Sequence, residues 1–97
     1  MTNKEVNQIK KKIVPILKKN KVVRAGIFGS FARGEQKKKS DVDILVDIRN
    51  ENMSLLDIVK LKILLEKIVK RKVDLIEYEN LHPLIKKEAL AQELRII

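Results

Sequence analysis

The hydrophobic positions near the N-terminus recur every three or four residues, a spacing that is typical of one buried face of an amphipathic helix. These positions are Val6, Ile9, Ile13 and Leu17. They predict a helix over residues 3–19. Thr2 and Glu5 have the T-x-x-E spacing of a capping box at its start. Pro15 predicts a kink or a short break inside the helix, because proline cannot donate a backbone hydrogen bond.

Farther along, the pattern changes to the β-branched and alternating sequences that are typical of strands. The predicted strands are 22–28, 41–48 and 73–77, with residues 94–97 as a final strand or a frayed end. In the second strand, the apolar residues that alternate with polar ones pack on a core. The opposite face carries Asp41, Asp43, Leu45 and Asp47, and we expect it to stay open.

Three further helical segments complete the predicted order. Ser30 to Arg33 should form one turn closed by Gly34. Longer helices are predicted over 54–69, where Ser54 with Asp57 starts the helix, and over 81–92. The resulting order is helix, strand, short helix, strand, helix, strand, helix. Such an order predicts an α+β, two-layer fold in which a small mixed β-sheet has helices on one face. The face with the aspartates would then be the working face.

Composition narrows the function without deciding it. The net charge is +9 with 36% charged residues, which suits phosphate-bearing ligands or an acidic partner. Aromatic residues make up only 3%, so direct binding of nucleic acid is not expected. There is no cysteine, and no apolar run is long enough to cross a membrane. A single domain over residues 1–97, in the cytoplasm, is therefore predicted.

Candidate chemistry is concentrated in residues 29–43, GSFARGEQKKKSDVD. Gly29 and Ser30 form a tight turn directly after a predicted strand, where backbone N–H groups suit a phosphate. Gly29 also allows the close approach of a phosphate to the backbone. Asp41 and Asp43 stand one residue apart on a strand, so their carboxylates point to the same side. Carboxylates held in this way suit Mg²⁺, and the segment predicts a nucleoside triphosphate site.

Nucleotidyl transfer matches this combination, because the protein mainly positions the reactants and neutralises charge. Two metal ions on a shared carboxylate cluster can activate the attacking hydroxyl and shield the leaving oxygens. Asp74 is the best candidate for a third carboxylate, and the alternative is a charge at a strand edge that faces solvent. Arg33 is placed either to reach a phosphate or to cap the turn at Gly34.

For several other residues, a purely structural role is an alternative to a functional one. Ser30 can cap the short helix whether or not it also contacts a phosphate. The lysine run 37–39 is expected to be a solvated loop that can still steer an anionic nucleotide through its long-range field. Tyr78 is expected to pack rather than to line a nucleotide pocket. His82 is expected to start the last helix rather than to bind a ligand.

The chain resembles the minimal, MNT-type members of the nucleotidyltransferase superfamily of DNA polymerase β. Their signature of Gly-Ser, ten residues and Asp-x-Asp is matched by Gly29-Ser30, residues 31–40 and Asp41-Val42-Asp43. The third acidic position of the family corresponds to Asp74. The resemblance implies a polymerase β-like core. It also implies that Asp41, Asp43 and Asp74 bind Mg²⁺, with two ions expected, while Gly29 and Ser30 hold the triphosphate of ATP.

Minimal members of this family are often paired with a HEPN-domain RNase toxin. The resemblance implies an antitoxin that transfers AMP from ATP to a tyrosine of the toxin (AMPylation), in a hetero-oligomer with it. This short chain offers no second domain for an acceptor, which favours an acceptor supplied by a partner. Two alternatives stay open: a non-catalytic antitoxin that masks a toxin by binding, and a nucleotidyltransferase that acts on a small molecule or an RNA end.

Overall fold

The computed structural model describes residues 4–97 of the chain. Its elements are α1 (Lys4–Lys19), β1 (Val22–Phe28), α2 (Ser30–Arg33), β2 (Val42–Ile48), α3 (Leu55–Val69), β3 (Val73–Glu77), a 3₁₀ turn (Tyr78–Asn80), α4 (Pro83–Gln92) and β4 (Leu94–Arg95). The predicted helices and strands are all present, with small shifts at their ends. The 3₁₀ turn was not predicted from the sequence.

The four strands form one mixed sheet in the order β3-β2-β1-β4. β1 pairs antiparallel with both β2 and β4, whereas β2 and β3 are parallel. Parallel neighbours need a long crossover, and α3 supplies it. The register places Asp43 beside Phe28 on one side and beside Asp74 on the other. The predicted mixed α+β architecture is confirmed, and its register brings the acidic positions of two strands together.

The main core lies between the sheet and the helices α1 and α3. The side chains that are completely buried there include Ile13, Leu17, Ile27, Phe31, Val42, Ile44, Val46 and Leu65. Most come from the helical stripe of α1 and from alternate positions of the strands, as the sequence pattern predicts. Phe31 comes from α2 and Leu65 from α3. Removing these apolar groups from water is the main force that holds the layers together.

The second face of the sheet is less open than expected. Leu45 is completely buried, although it alternates with the aspartates of β2. Gly26 pairs with Leu45 in the register, and a Cβ at Gly26 would overlap the side chain of Glu93. Glu93, which follows α4, therefore lies over this face, where its Oε1 is 3.5 Å from Nη2 of Arg24. The expectation of one open face is thus wrong at this end of the sheet, because Leu45 is covered.

α1 runs as one continuous helix through Pro15, so the predicted short break is absent, while a kink at Pro15 stays a prediction. The capping box expected at Thr2 and Glu5 involves a residue outside the described range, while the Glu5 carboxylate accepts a hydrogen bond from Arg71 at 2.9 Å. Within residues 4–97, no helix combines the length and apolarity needed to cross a membrane.

The start of α3 provides a direct test of a prediction made from sequence spacing. The Ser54 hydroxyl accepts a hydrogen bond from the Asp57 backbone N–H at 3.2 Å, and the Asp57 carboxylate accepts one from the Ser54 N–H at 3.0 Å. Ser54→Ala removes the first bond and should lower the free energy of unfolding by about 1 kcal/mol. Urea unfolding measures the loss. Ser54→Gly is the matched control and should retain more of the stability; equal stability of wild type and Ser54→Ala would contradict the cap.

Candidate active site

The turn that leaves β1 is built around Gly29. Its backbone has φ 75° and ψ −146°, a conformation that is essentially restricted to glycine. A Cβ at this position would overlap the Asp43 carboxylate. Glycine is therefore needed twice over, for the backbone conformation and for the close approach of the turn to Asp43. Gly34 closes α2 in the left-handed region with φ 71°, as the sequence predicts.

Ser30 occupies a different helical position from the one expected. The N-cap of α2 is Gly29, no side chain caps the helix, and Ser30 is its first residue. The predicted capping role of Ser30 is therefore wrong. The backbone N–H of Glu35 donates to the Ser30 carbonyl at 2.9 Å, which folds the chain back after α2. Ser30 is half-buried beside Gly29, and its contact with a phosphate stays a prediction.

The two aspartates Asp43 and Asp74 form the acidic centre of the site. They are direct neighbours in the register of the parallel strands, so their carboxyl groups lie side by side. Asp43 is half-buried, whereas Asp41 and Asp74 are exposed. Burial first, then the neighbouring Asp74 and the charge of Asp41, raise the pKa of Asp43 from 3.8 to about 6. Asp74 and Asp41 therefore disfavour the charged form of Asp43.

This donor set fits a hard divalent cation. A cation placed between the carboxyl groups would neutralise the negative charges that raise the pKa of Asp43. Oxygen donors of this kind suit Mg²⁺. Among residues 4–97, however, no three acidic or histidine side chains are close enough together to hold a metal ion as they stand. The structure brings Asp43 and Asp74 together, whereas Asp41, one residue ahead of β2, influences Asp43 through its charge.

Arg33 lies within electrostatic reach of the same carboxylate. Its positive charge lowers the pKa of Asp43, in opposition to burial and the neighbouring acids. The guanidinium donates to Glu35 Oε2 at 3.1 Å and to Gln92 Oε1 at 3.5 Å, and the side chain is exposed. Arg33 is therefore placed near the acidic pair, and its contact with a phosphate stays a prediction.

A basic cavity of about 470 Å³ adjoins the site. It is lined by Lys38, Lys39, Ser40, Asp41, Lys70, Arg71 and Lys72. The lysine run 37–39 is exposed, as expected of a solvated loop. The residues just before β3 lie opposite this loop, which no local pattern in the sequence predicts. The Arg71 guanidinium donates to backbone carbonyls of the loop.

The remaining candidates have structural roles. His82 is the N-cap of α4, and its Nδ1 accepts a hydrogen bond from the Leu84 N–H at 3.1 Å, which confirms that it starts the helix. Tyr78 is buried, and the Arg24 guanidinium lies 4.4 Å from the centre of its ring, which confirms packing. Burial and the neighbouring Glu93 raise the pKa of the Tyr78 hydroxyl above its usual range.

Comparison with known proteins agrees with this geometry. The family model "Polymerase beta, Nucleotidyltransferase" matches residues 11–97. A protein of Methanocaldococcus jannaschii, MJ0435, named as a candidate protein adenylyltransferase, is 49% identical over 92 residues, which cover 95% of this chain and 98% of that protein. Protein adenylyltransferase MntA of Thermococcus cleftensis is 45% identical over 67 residues, covering 69% of this chain and 67% of that protein.

Two solved structures share the fold. A structure described as a candidate minimal nucleotidyltransferase superposes with a TM-score of 0.80 and 30% identity, covering 97% of this chain and 95% of that chain. A toxin–antitoxin complex with AMP-PNP gives a TM-score of 0.78 and 23% identity over 91% of this chain and 72% of that chain, and that likeness concerns the fold alone. The chain belongs to the polymerase β nucleotidyltransferase family.

The raised pKa of Asp43 predicts a pH-dependent stability of the metal-free protein. The group binds its proton more tightly when folded, so its destabilising effect is absent below about pH 4, grows as the pH rises to about 6, and is complete above that. Asp43→Asn removes the ionisation. It should raise the free energy of unfolding at pH 7.5 by about 1 kcal/mol, after allowance for solvent screening. Urea unfolding with EDTA measures the difference.

A matched control is Glu88→Gln, which removes the same charge from an exposed position of α4. It should not stabilise the protein at pH 7.5, because it relieves no crowded carboxylate. The advantage of Asp43→Asn should shrink as the pH falls toward 4. A variant that is less stable than wild type at pH 7.5 would show that the Asp43 charge is favourable in the metal-free fold.

Proposed function

We propose that this protein transfers AMP from ATP to a tyrosine hydroxyl of a HEPN-domain partner, in a reaction that depends on Mg²⁺. The observation that carries the proposal is the Asp43–Asp74 pair, held in register and approached by the Gly29 turn. Relatives of similar length that are named protein adenylyltransferases support AMP transfer to a protein. The fold shared with a toxin–antitoxin complex supports a toxin as the partner.

The roles proposed for the residues follow from their positions. Asp41, Asp43 and Asp74 would hold Mg²⁺, with two ions expected. Gly29, Ser30 and Arg33 would contact the triphosphate. The bound cation would neutralise charge on the phosphates and acidify the attacking hydroxyl. The register of β2 and β3 fixes two of the carboxylates before any ligand arrives, which limits the reorganisation needed during the reaction.

The proposed reaction is a displacement at the α-phosphorus of ATP. The tyrosine oxygen forms a bond to that phosphorus, the bond from the phosphorus to the bridging oxygen breaks, and pyrophosphate leaves. The phenolic proton passes to solvent, and the partner carries AMP as a phosphodiester. We further propose that residues 1–97 act as one catalytic domain, that the protein and its partner form a hetero-oligomer, and that they meet in the cytoplasm, where ATP is available.

Transfer to the partner is tested with ATP labelled at the α-phosphate, MgCl₂ and a purified HEPN-domain protein encoded beside this chain. Label should appear on a tyrosine of the partner, and ATP labelled at the γ-phosphate should give none. EDTA should abolish the labelling. Asp43→Asn should lower the rate by about 10²-fold or more, as expected when a group that stabilises developing charge is lost.

Asp47→Asn is the matched control, because Asp47 lies on the same strand and face but pairs with Arg49 at 3.1 Å. It should transfer AMP at a rate within about twofold of wild type. If Asp43→Asn neutralises the toxin as well as wild type does, then masking by contact, and not AMP transfer, is the function. An absence of label with folded wild type and its own partner would also count against the proposal.

Binding can be separated from transfer with Asp41→Ala. This variant should lose Mg²⁺-dependent binding of ATP, measured as the heat of titration, because the site loses one of three acidic groups. The fold should be retained, since Asp41 is exposed and precedes β2. Without metal, the melting temperature should be unchanged or higher, as crowding of carboxylates is relieved. A sharp drop in melting temperature would indicate a structural role instead.

A further inference from the structure

The loop between α2 and β2 has little of its own to hold it in place. Residues 35–40 include three consecutive lysines and no apolar side chain. One local turn orders its end, in which the Lys37 N–H donates to Ser40 Oγ at 2.7 Å and the Ser40 N–H donates to the Lys37 carbonyl at 3.0 Å. This loop ends at Asp41, so its conformation determines where the first predicted ligand lies. Ordering such a segment has an entropic cost that some other contact must offset.

Arg71, which is more than 30 residues away in the sequence, makes that contact. Its Nη1 donates to the carbonyls of Lys37 and Lys38 at 2.8 and 2.9 Å, and lies 3.3 Å from the carbonyl of Ser40. The Arg71 side chain is only 19% exposed. Hydrogen bonds from a charged donor are roughly twice as strong as neutral ones, and partial burial strengthens them further. These hydrogen bonds tie the loop to the segment just before β3.

The same guanidinium contacts two other elements. Nη2 donates to Glu5 Oε2 on α1 at 2.9 Å. The Cζ atom of Arg71 lies 5.1 Å from the centre of the Phe31 ring. Phe31 is the completely buried residue that follows Ser30 in α2. Next to Arg71, the carbonyl of Lys72 accepts a hydrogen bond from the Val42 N–H at 2.8 Å. Arg71 therefore lies where the segments that carry Ser30, Asp41 and Asp74 meet.

We propose that Arg71 is a positioning residue of the active site, which holds the loop before Asp41 in a fixed relation to α2 and to β3. In this role, Arg71 contacts neither the Asp43–Asp74 pair nor the nucleotide. Its effect on AMP transfer rests on the proposed function, whereas its effect on the loop does not. An arginine is needed, because a planar group with five donors can contact carbonyls, a carboxylate and an aromatic face at once. A lysine at this position can satisfy only part of that set.

The loop can be monitored without any nucleotide by limited digestion with trypsin, which cleaves after lysine and arginine. Arg71→Met keeps an unbranched stem but removes all the donors. The first cut after Lys37, Lys38 or Lys39 should become about 10-fold faster or more, since local opening then costs less free energy. Mass spectrometry identifies each cut. A variant that is merely less stable overall would instead be cut faster at lysines throughout the chain.

Two variants control for loss of charge and of the ion pair. Lys70→Met removes a neighbouring positive charge, and Glu5→Gln removes the ion pair while leaving Arg71 and its carbonyl contacts in place. Both should leave the rate of loop cleavage within about twofold of wild type. If Arg71→Met does not change the rate of loop cleavage, or changes it no more than the rates at other lysines, the positioning role is overturned.

AMP transfer supplies the second readout. Arg71→Met should lower kcat by about 10²-fold, as small misplacements of reacting groups do, with a smaller change in the KM for ATP. Arg71→Lys should recover part of kcat and part of the loop protection. Unchanged kcat in Arg71→Met would overturn the positioning role. Faster loop cleavage in Arg71→Met, together with a wild type that labels no partner, would support Arg71 as the anchor of the loop while the proposed function fails.

Discussion

Two carboxylates placed side by side on a sheet repel each other, and this fold holds Asp43 and Asp74 in that arrangement without a ligand. The parallel pairing of β2 with β3 fixes the register, and burial of Val42, Ile44 and Val73 in the core prevents the strands from sliding. A shift of one residue would turn every aspartate toward the core. The energy of the apolar layer therefore maintains an electrostatically unfavourable pair, which a proton or a cation can relieve.

The fold was predictable wherever the information is local. The apolar stripe of α1, the turn closed by Gly34 and the start of α3 at Ser54 each depend on residues a few positions apart, and all three are present. The unbroken course of α1 through Pro15 shows a limit of this reasoning. Packing of the helix on the sheet outweighs the loss of a single hydrogen bond.

The candidate site was predictable in its members but not in its exact arrangement. The spacing of Asp41 and Asp43 identifies a shared strand face, and the crossover by α3 makes Asp74 a natural neighbour. β2 begins at Val42, so Asp41 lies just outside the strand, whereas Asp43 lies within it and beside Asp74. The features that were not predicted involve positions distant in sequence. Leu45 is buried although it alternates with aspartates, and Arg71 donates to carbonyls more than 30 residues away. Such pairings leave no periodic signal in a single sequence.

The distribution of charge around the acidic pair has a consequence for the ligand. The basic residues that line the cavity on one side of the site produce a long-range field that attracts an anion; they are Lys38, Lys39, Lys70, Arg71 and Lys72. At short range, Asp43 and Asp74 repel the phosphates that this field attracts. The two effects are reconciled only when the anion arrives with a cation that the carboxylates can share. Under the proposed function, the site would therefore take the magnesium complex of a nucleotide rather than free nucleotide. The close approach of Gly29 to Asp43 would then place the metal next to the phosphate.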